Sequence, residues 1–313
     1  MGILSKALMR TLKGNEELHV QMASTKKVPE QFRFKSERTL PMVRFWNRRG
    51  IFLFSSRQSL DKFKAEGSSF GFAPTNKEGV GIPLFHIVRE LLDLVPTFNI
   101  YKYEIVSVND PPVYSTEAEL ISDNGNFKLY KIPFCKINMT VDLTRIQYNF
   151  HFFSTPVDKQ ADTSLIKQPN FRDMDTEIDS YIMRWHINYT PILTNSHYTL
   201  ELLPANMTSL YDNKSLTVRN NMMGEPVYDK FVVGHLTSDT SDLLPKTTSK
   251  VAKLIVGETK INSFGISDIP WNTQVLACQS LLIHYIDEIK ERETSRKKKR
   301  RNRNNLVTNQ MLF

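Results

Sequence analysis

Seven cations, Arg296, Lys297, Lys298, Lys299, Arg300, Arg301 and Arg303, fill all but one position of the run RKKKRRNR. Such a run displaces counterions from phosphates, so it predicts salt-dependent, sequence-blind binding of nucleic acid. The same composition also fits a nuclear import signal or a solubilising terminus. A second candidate is MGILSKALMRTLKG, with Leu4, Leu8 and Leu12 at helical spacing and Lys6, Arg10 and Lys13 on another side. A short basic amphipathic helix of this kind lies on an anionic membrane surface, serves as a mitochondrial presequence, or docks on its own domain. Gly2 raises myristoylation, but Lys6 stands where that motif needs Ser or Thr. A third is PPVY, in which Pro111, Pro112 and Tyr114 match the pattern that WW domains bind, with an interstrand turn as the competing reading.

Enzyme chemistry finds no comparable foothold. GVGIP over 79–83 places two glycines as a phosphate cradle does, but lacks the Lys-Ser/Thr and the third glycine, so a plain turn is expected. RDMDTEID over 172–179 gathers four acids that could hold a divalent cation, against the plainer reading of a solvated loop. His86 and His151 stand alone and read as structural. Cys135 and Cys278 sit in apolar contexts without ligand spacing and read as small buried residues in a reducing compartment. No catalytic residue, metal or cofactor is expected.

The elements that must position these groups are constrained by composition first. The chain has 313 residues, 40% hydrophobic and 24% charged, with a net charge of +8. Residues 1–50 and 290–303 each carry +7, which leaves −6 for everything between, so the basicity is expected on arms at both ends. No run approaches the roughly 18 apolar residues of a membrane span, and the first residues do not form a secretory signal. The sequons at Asn138, Asn188, Asn206 and Asn213 are therefore expected to stay unmodified.

VRFWNRRGIFLF over 43–54 predicts a hairpin about Asn47-Arg48-Arg49-Gly50. A short helix should follow, capped by Ser55 or Ser56, with Leu60 and Phe63 inward. PLFHIVRELLDLV over 83–95 predicts another helix, opened by Pro83, stopped by Pro96, and striped by Phe85, Val88, Leu91, Leu92 and Val95. From Tyr101 the period becomes 2: YKYEI, then EAELI and FKLYKI as a hairpin about Asn124-Gly125. In KINMTVDLTRIQYNFHFF the apolar phase slips at Thr144-Arg145, which predicts a bulge or tight reversal. YIMRWHINYTPILTNSHYTLELLP over 181–204 repeats the design, and VYDKFVVGHL and KVAKLIVGE add strands.

About ten antiparallel strands predict a mainly β (α+β) domain, an antiparallel sandwich or jelly-roll-like fold with a few flanking helices. IPWNTQVLACQSLLIHYIDEIKERE over 269–293 predicts a largely buried helix packed on or into that sheet. The expected division is a basic arm over 1–40, a β-rich domain over 41–292 ending in this helix, and a disordered basic tail over 293–313.

Trp185, Pro191, and the alternating Tyr198, Leu200 and Leu202 resemble the core of the thirty-kilodalton superfamily of plant-virus movement proteins. That superfamily usually has an aspartate shortly after the second strand, where Leu203, Pro204, Ala205 and Asn206 stand here. The resemblance implies a non-enzymatic protein that binds single-stranded nucleic acid, RNA above all, and carries it between cells along membranes and plasmodesmata. It implies a host-cytoplasmic, membrane-associated homo-oligomer, with the basic tail also allowing a nuclear location. Two further resemblances give alternatives. Matrix proteins of negative-strand RNA viruses combine basic surfaces, membrane binding and Pro-Pro-x-Tyr motifs, as Pro111, Pro112 and Tyr114 would supply. Tubby-like and scramblase-like domains wrap a barrel around a hydrophobic helix, as residues 270–289 would supply, and imply a lipid-binding barrel with a cavity beside that helix.

Overall fold

The computed structural model describes residues 29–66, 72, 76–90, 95–110, 117–153, 162–169, 171–188, 197–204, 207, 209–211, 231–238, 248–259 and 263–310. The N-terminal amphipathic candidate (Leu4, Lys6, Leu8, Arg10, Leu12, Lys13) and the Pro111, Pro112, Tyr114 motif lie outside them.

A short 3-10 turn, Glu30–Phe32, leads into β1 (Ser36–Phe45), which turns back into β2 (Ile51–Phe54). The reversal needs Gly50: its φ is +85°, and a Cβ there would lie 2.1 Å from the carbonyl oxygen of Ile87. Ser56 then caps α1 (Arg57–Ala65) by accepting the Ser59 backbone N–H, and the helix buries Leu60 and Phe63, as the sequence predicts.

Next come β3 (Pro83–Arg89), β4 (Thr97–Ser107), β5 (Glu119–Asp123), β6 (Phe127–Val141) and β7 (Ile146–Phe152). The segment 83–95, expected as a helix, therefore begins as a strand. Its register is fixed between β2 and β4, with Ile87 opposite Ile51 on one side and Ile100 on the other. Leu84, Phe85 and Ile87 are wholly buried there, so pairing on both edges overrides a pattern that short apolar runs leave ambiguous. The phase slip at Thr144-Arg145 is a tight reversal: Asp142 Oδ1 accepts the backbone N–H groups of Thr144 and Arg145 at 2.7 Å each.

The chain continues through β8 (Thr163–Lys167), β9 (Met174–Ile178), β10 (Tyr181–Asn188), β11 (His197–Leu202), β12 (Phe231–Ser238) and β13 (Thr248–Glu258) to α2 (Trp271–Gln310). Each strand pairs antiparallel with the next from β5 to β13, β13 pairs with β1, and β1 continues through β2 and β3 to β4. An additional β4–β6 pairing, running from Thr97↔Asn138 to Ser107↔Phe127, brings the two sides together. The result is a closed twelve-stranded antiparallel barrel, with β5 hydrogen-bonded to β6 as an extra strand. This corrects the expected sandwich or jelly roll. The alternation in each strand is as read, but one continuous ring replaces two stacked sheets, and closure removes the edges a sandwich would leave.

α2 runs through the lumen. Every residue from Val275 to His284 is buried, which a helix lying on one sheet cannot achieve around its whole circumference. Its partners come from all round the ring. Thr273 bonds Glu258 on β13, and Gln279 bonds both Trp185 on β10 and Thr176 on β9. Ser238 on β12 bonds His284, Tyr198 on β11 bonds Asp287, and Phe98 on β4 meets Tyr285 edge-on at 5.6 Å. A barrel this wide would otherwise be hollow, and the helix supplies the packed core. Among the resemblances, the tubby- and scramblase-like one implies this arrangement. The stretch expected as a disordered tail instead continues the helix to Gln310, so the helix is about 60 Å long and projects well beyond the barrel.

Candidate functional site

Where α2 leaves the lumen, one rim of the barrel is defined. Arg44 at the end of β1 bonds Glu288, and the side chains of Tyr148, Lys167, Arg172 and Tyr198 surround Ile283 to Glu291. Antiparallel alternation places the β1–β2, β3–β4, β6–β7 and β8–β9 connections at this same rim. They present Trp46 at 81% exposure and Leu143 at 100%, with Val95, Val141 and Phe171 also exposed. Leu143 sits at the tip of the Asp142 reversal, where turn chemistry would favour a polar residue. Cations stand among these apolar tips: exposed Arg48 and Arg49 in the β1–β2 turn, Arg172 in the β8–β9 connection, and exposed Lys290, Arg292, Arg296 and Lys297 along the emerging helix.

The β1–β2 turn is braced from below. His86 Nε2 lies 2.7 Å from the Arg49 carbonyl oxygen, and its ring stacks on Phe52 at 3.9 Å. Burial lowers the His86 pKa to about 4, so the imidazole is neutral and donates. Arg48 covers the Phe72 ring at 4.7 Å.

Beside the helix, a cleft of about 90 Å³ is lined by Tyr148, Lys167, Arg172, Tyr198, Asp287, Lys290 and Glu291 among others. Lys167 is buried at 8% exposure and its ammonium meets that of Lys290. Burial, and next the adjacent Lys290, lower its pKa to about 8. Tyr198 donates to Asp287 at 2.7 Å, and burial together with that carboxylate raises the phenol pKa well above its ordinary value.

The opposite rim, where α2 starts, differs. A cleft of about 530 Å³ there carries Asp162, Glu177 and Asp179, and another of about 460 Å³ carries Asp179, Glu258 and Trp271. Arg38 and Glu258 form a buried pair at 2.8 Å, the guanidinium also donating to the carbonyls of Ser55 and Ser263. Exposed Val108, Phe153 and Phe264 occur at this end.

The sequence candidates distribute as follows. Arg296 and Lys297 are exposed on the helix, while Lys298, Lys299, Arg300, Arg301 and Arg303 continue the helical backbone. Two cations counted in the N-terminal basic arm, Arg38 and Arg44, are consumed inside the barrel by Glu258 and Glu288. The acidic run 172–179 is no solvated loop over its length: it contains β9, and Asp175 is fully buried and held bidentately by Arg184 at 2.7 and 2.9 Å. Among the described residues no cluster of His, Cys, Asp and Glu could hold a metal. Cys135 and Cys278 are free buried thiols. Beside the helix, where a lipid-carrying barrel is expected to hold a cavity, the clefts lie towards its two ends: those of about 530 and 460 Å³ reach Val275 and Leu276, and that of about 90 Å³ reaches Ile283 and Ile286. Trp46, Phe171 and Lys167 are not singled out from sequence; the alternation through Ile137, Met139 and Val141 would turn Leu143 to the core, but the tight reversal at Asp142 leaves Leu143 fully exposed and Val141 more than half exposed.

A sequence model described as DIA1 matches residues 35–292. The chain is 34% identical over 289 residues to a Saccharomyces cerevisiae protein named "Uncharacterized protein YOR385W", covering 90% of this chain and 97% of that one. It is 31% identical over 331 residues to "Protein DIA1" of the same yeast, covering 98% and 97%. "Uncharacterized protein YNL165W", also from yeast, is 27% identical over 298 residues, covering 83% and 72%. No solved structure matches. These relatives overturn the resemblance to plant-virus movement proteins, and with it the viral transport function: Trp185 and the alternating Tyr198, Leu200 and Leu202 are barrel-strand patterning that unrelated β proteins share, and Pro191 lies outside the described residues.

Proposed function

The chain belongs to the DIA1 family, and from that premise we propose that it is a non-enzymatic, peripheral membrane-docking module. Its plugged barrel holds one rim and one basic helix against an anionic lipid surface. The observation that carries this reading is the convergence of exposed apolar tips, Trp46, Val95, Leu143 and Phe171, with exposed cations at the rim the helix leaves. Apolar tips flanked by cations are what an interfacial site requires: the tips enter the headgroup–acyl boundary and the cations meet lipid phosphates. Burying Trp46 and Leu143 contributes roughly 1.5–3 kcal/mol each, and each nearby cation about 1 kcal/mol. Two such tips with two or three cations sum to roughly 5–9 kcal/mol before the cost of association, which makes the attachment weak and reversible.

Vesicle flotation tests the reading. Vesicles rich in phosphatidylserine should carry the protein up and neutral phosphatidylcholine vesicles should not. Trp46 emission should shift to the blue on binding, with Trp46→Phe as the control that removes the signal. Equal indifference to both vesicles overturns the proposal. Retention of an RNA oligonucleotide by the 296–303 helix without any vesicle binding would give the polyanion role to nucleic acid instead.

A further inference from the structure

We infer that the cleft between α2 and strands β7, β8 and β11 is a binding site for a phosphate monoester group. The site deepens the membrane reading, because a lipid headgroup is one source of that group and a soluble phosphate is the other.

Three cations line the cleft: Lys167 from the end of β8, Arg172 from the β8–β9 connection and Lys290 from α2. The Lys167 side chain is buried, and the group its ammonium meets is a second ammonium, that of Lys290. Among the described residues Lys167 forms no ion pair within 4.0 Å. Two like charges in contact at a half-enclosed site repel, and burial strips the water that would screen them. An anion with two or more acceptor oxygens placed between them removes both penalties at once and carries more charge than a halide. The Tyr148 and Tyr198 rings wall the cleft, and the space of about 90 Å³ is of the order of one phosphate group rather than a nucleotide or a sugar ring.

Two carboxylates share the space, and both are accounted for. Asp287 accepts the Tyr198 hydroxyl at 2.7 Å and offsets part of the repulsion on Lys167. Glu291 has its pKa raised by burial and by its neighbours Asp287 and Glu288, which makes its charge less favourable in the free protein. The groups facing Lys167 are thus Lys290, Asp287 and Glu291 on the helix, Arg172 on the connection, and Tyr148 and Tyr198 on the strands.

A proton sign follows. Lys167 must be charged to hold the anion, and in the free protein it loses its proton near pH 8. A phosphomonoester gains its second negative charge near pH 6. Affinity should therefore be greatest between about pH 6 and 8 and fall as pH rises above that window, with proton uptake on binding there.

The test is titration of the full chain with inorganic phosphate and with a soluble inositol monophosphate, followed by calorimetry at pH 7 and pH 9. Saturable binding at pH 7, weakened about tenfold at pH 9, is expected. Lys290→Gln, on an exposed helix position that leaves the fold alone, should weaken binding at least tenfold, and Lys167→Met should abolish it. A near-ultraviolet dichroism spectrum matching the parent shows that the Met variant is folded. Vesicles distinguish the sources: if phosphatidic acid outcompetes soluble phosphate and Lys290→Gln removes that preference, the headgroup is the source. Binding of soluble phosphate without that preference assigns a free phosphate. No saturation by either phosphate at pH 7, or an unchanged affinity in Lys290→Gln, overturns the site, and leaves docking through Trp46 and Leu143 to stand or fall by flotation alone.

Discussion

The two rims of the barrel are made from the same twelve strands and differ in what their charges do. At the rim where α2 starts, Arg38 and Glu258 are buried against each other, and Asp162, Glu177 and Asp179 face open clefts. At the rim where α2 leaves, exposed cations such as Arg48, Arg49, Arg296 and Lys297 stand with exposed apolar tips such as Trp46 and Leu143. The Arg38–Glu258 pair joins β1 to β13, with Thr273 of the helix on the same carboxylate, while at the other rim Arg44 reaches the helix through Glu288. Under the docking proposed above, recognition belongs to the rim the helix leaves, which lets a mildly acidic centre coexist with a basic face.

The sharpest way to break this contrast is to remove one partner of the buried pair. Arg38→Met strands the Glu258 carboxylate and should cost about 3–5 kcal/mol of unfolding free energy, read by urea titration. Vesicle affinity of the surviving folded fraction should stay at the parent value. Next in size, Trp46→Asp with Leu143→Asp should lower affinity for anionic vesicles by about a hundredfold, roughly 3 kcal/mol. Phe153→Asp with Phe264→Asp at the opposite rim should leave it within twofold, and equal losses would erase the contrast.

Acid offers a third handle, of roughly 2–3 kcal/mol. His86 is held neutral down to about pH 4, below its unfolded value of 6.5, so the unfolded chain binds more protons between those limits. Stability is complete above pH 6.5 and is lost as pH falls towards 4. The Arg49 carbonyl that His86 braces should exchange its neighbouring amides faster over that window, measurable by hydrogen exchange across 48–52, while the β9–β10 turn at the other rim stays protected. Smallest of all, each of Arg296→Gln and Lys297→Gln should weaken vesicle binding by about 1 kcal/mol at low salt and less at 0.15 M.

Much of the strand content was legible because burial on one face imposes period 2. The hairpins about Gly50 and Gly125, the Ser56 cap and the reversal at Asp142 follow from local chemistry alone. Closure was not legible, since the β4–β6 pairing that converts a sheet to a ring leaves no mark in either strand beyond alternation. The apolar run 83–89 carries the same residues whether helical or extended, and only its two neighbours decide. The helix signalled its burial through apolar residues over more than half its circumference, but a helix inside a ring and one between sheets have the same pattern. The docking rim was hidden for a different reason: Trp46, Val95, Leu143 and Phe171 are far apart in the chain, and become one surface only after the topology joins them. The Lys167–Lys290 contact is likewise a product of threading, invisible in either segment.

In the order of the chain, the element that fills the barrel comes after every strand that encloses it. During synthesis the ring therefore has nothing to close upon, and its first strand waits more than two hundred residues for β13. Productive folding must be a late, concerted event rather than a stepwise one, with long-range contacts formed together. Until α2 arrives the apolar inner faces of the strands have no partner, so a stop before Trp271 should leave an aggregation-prone sheet.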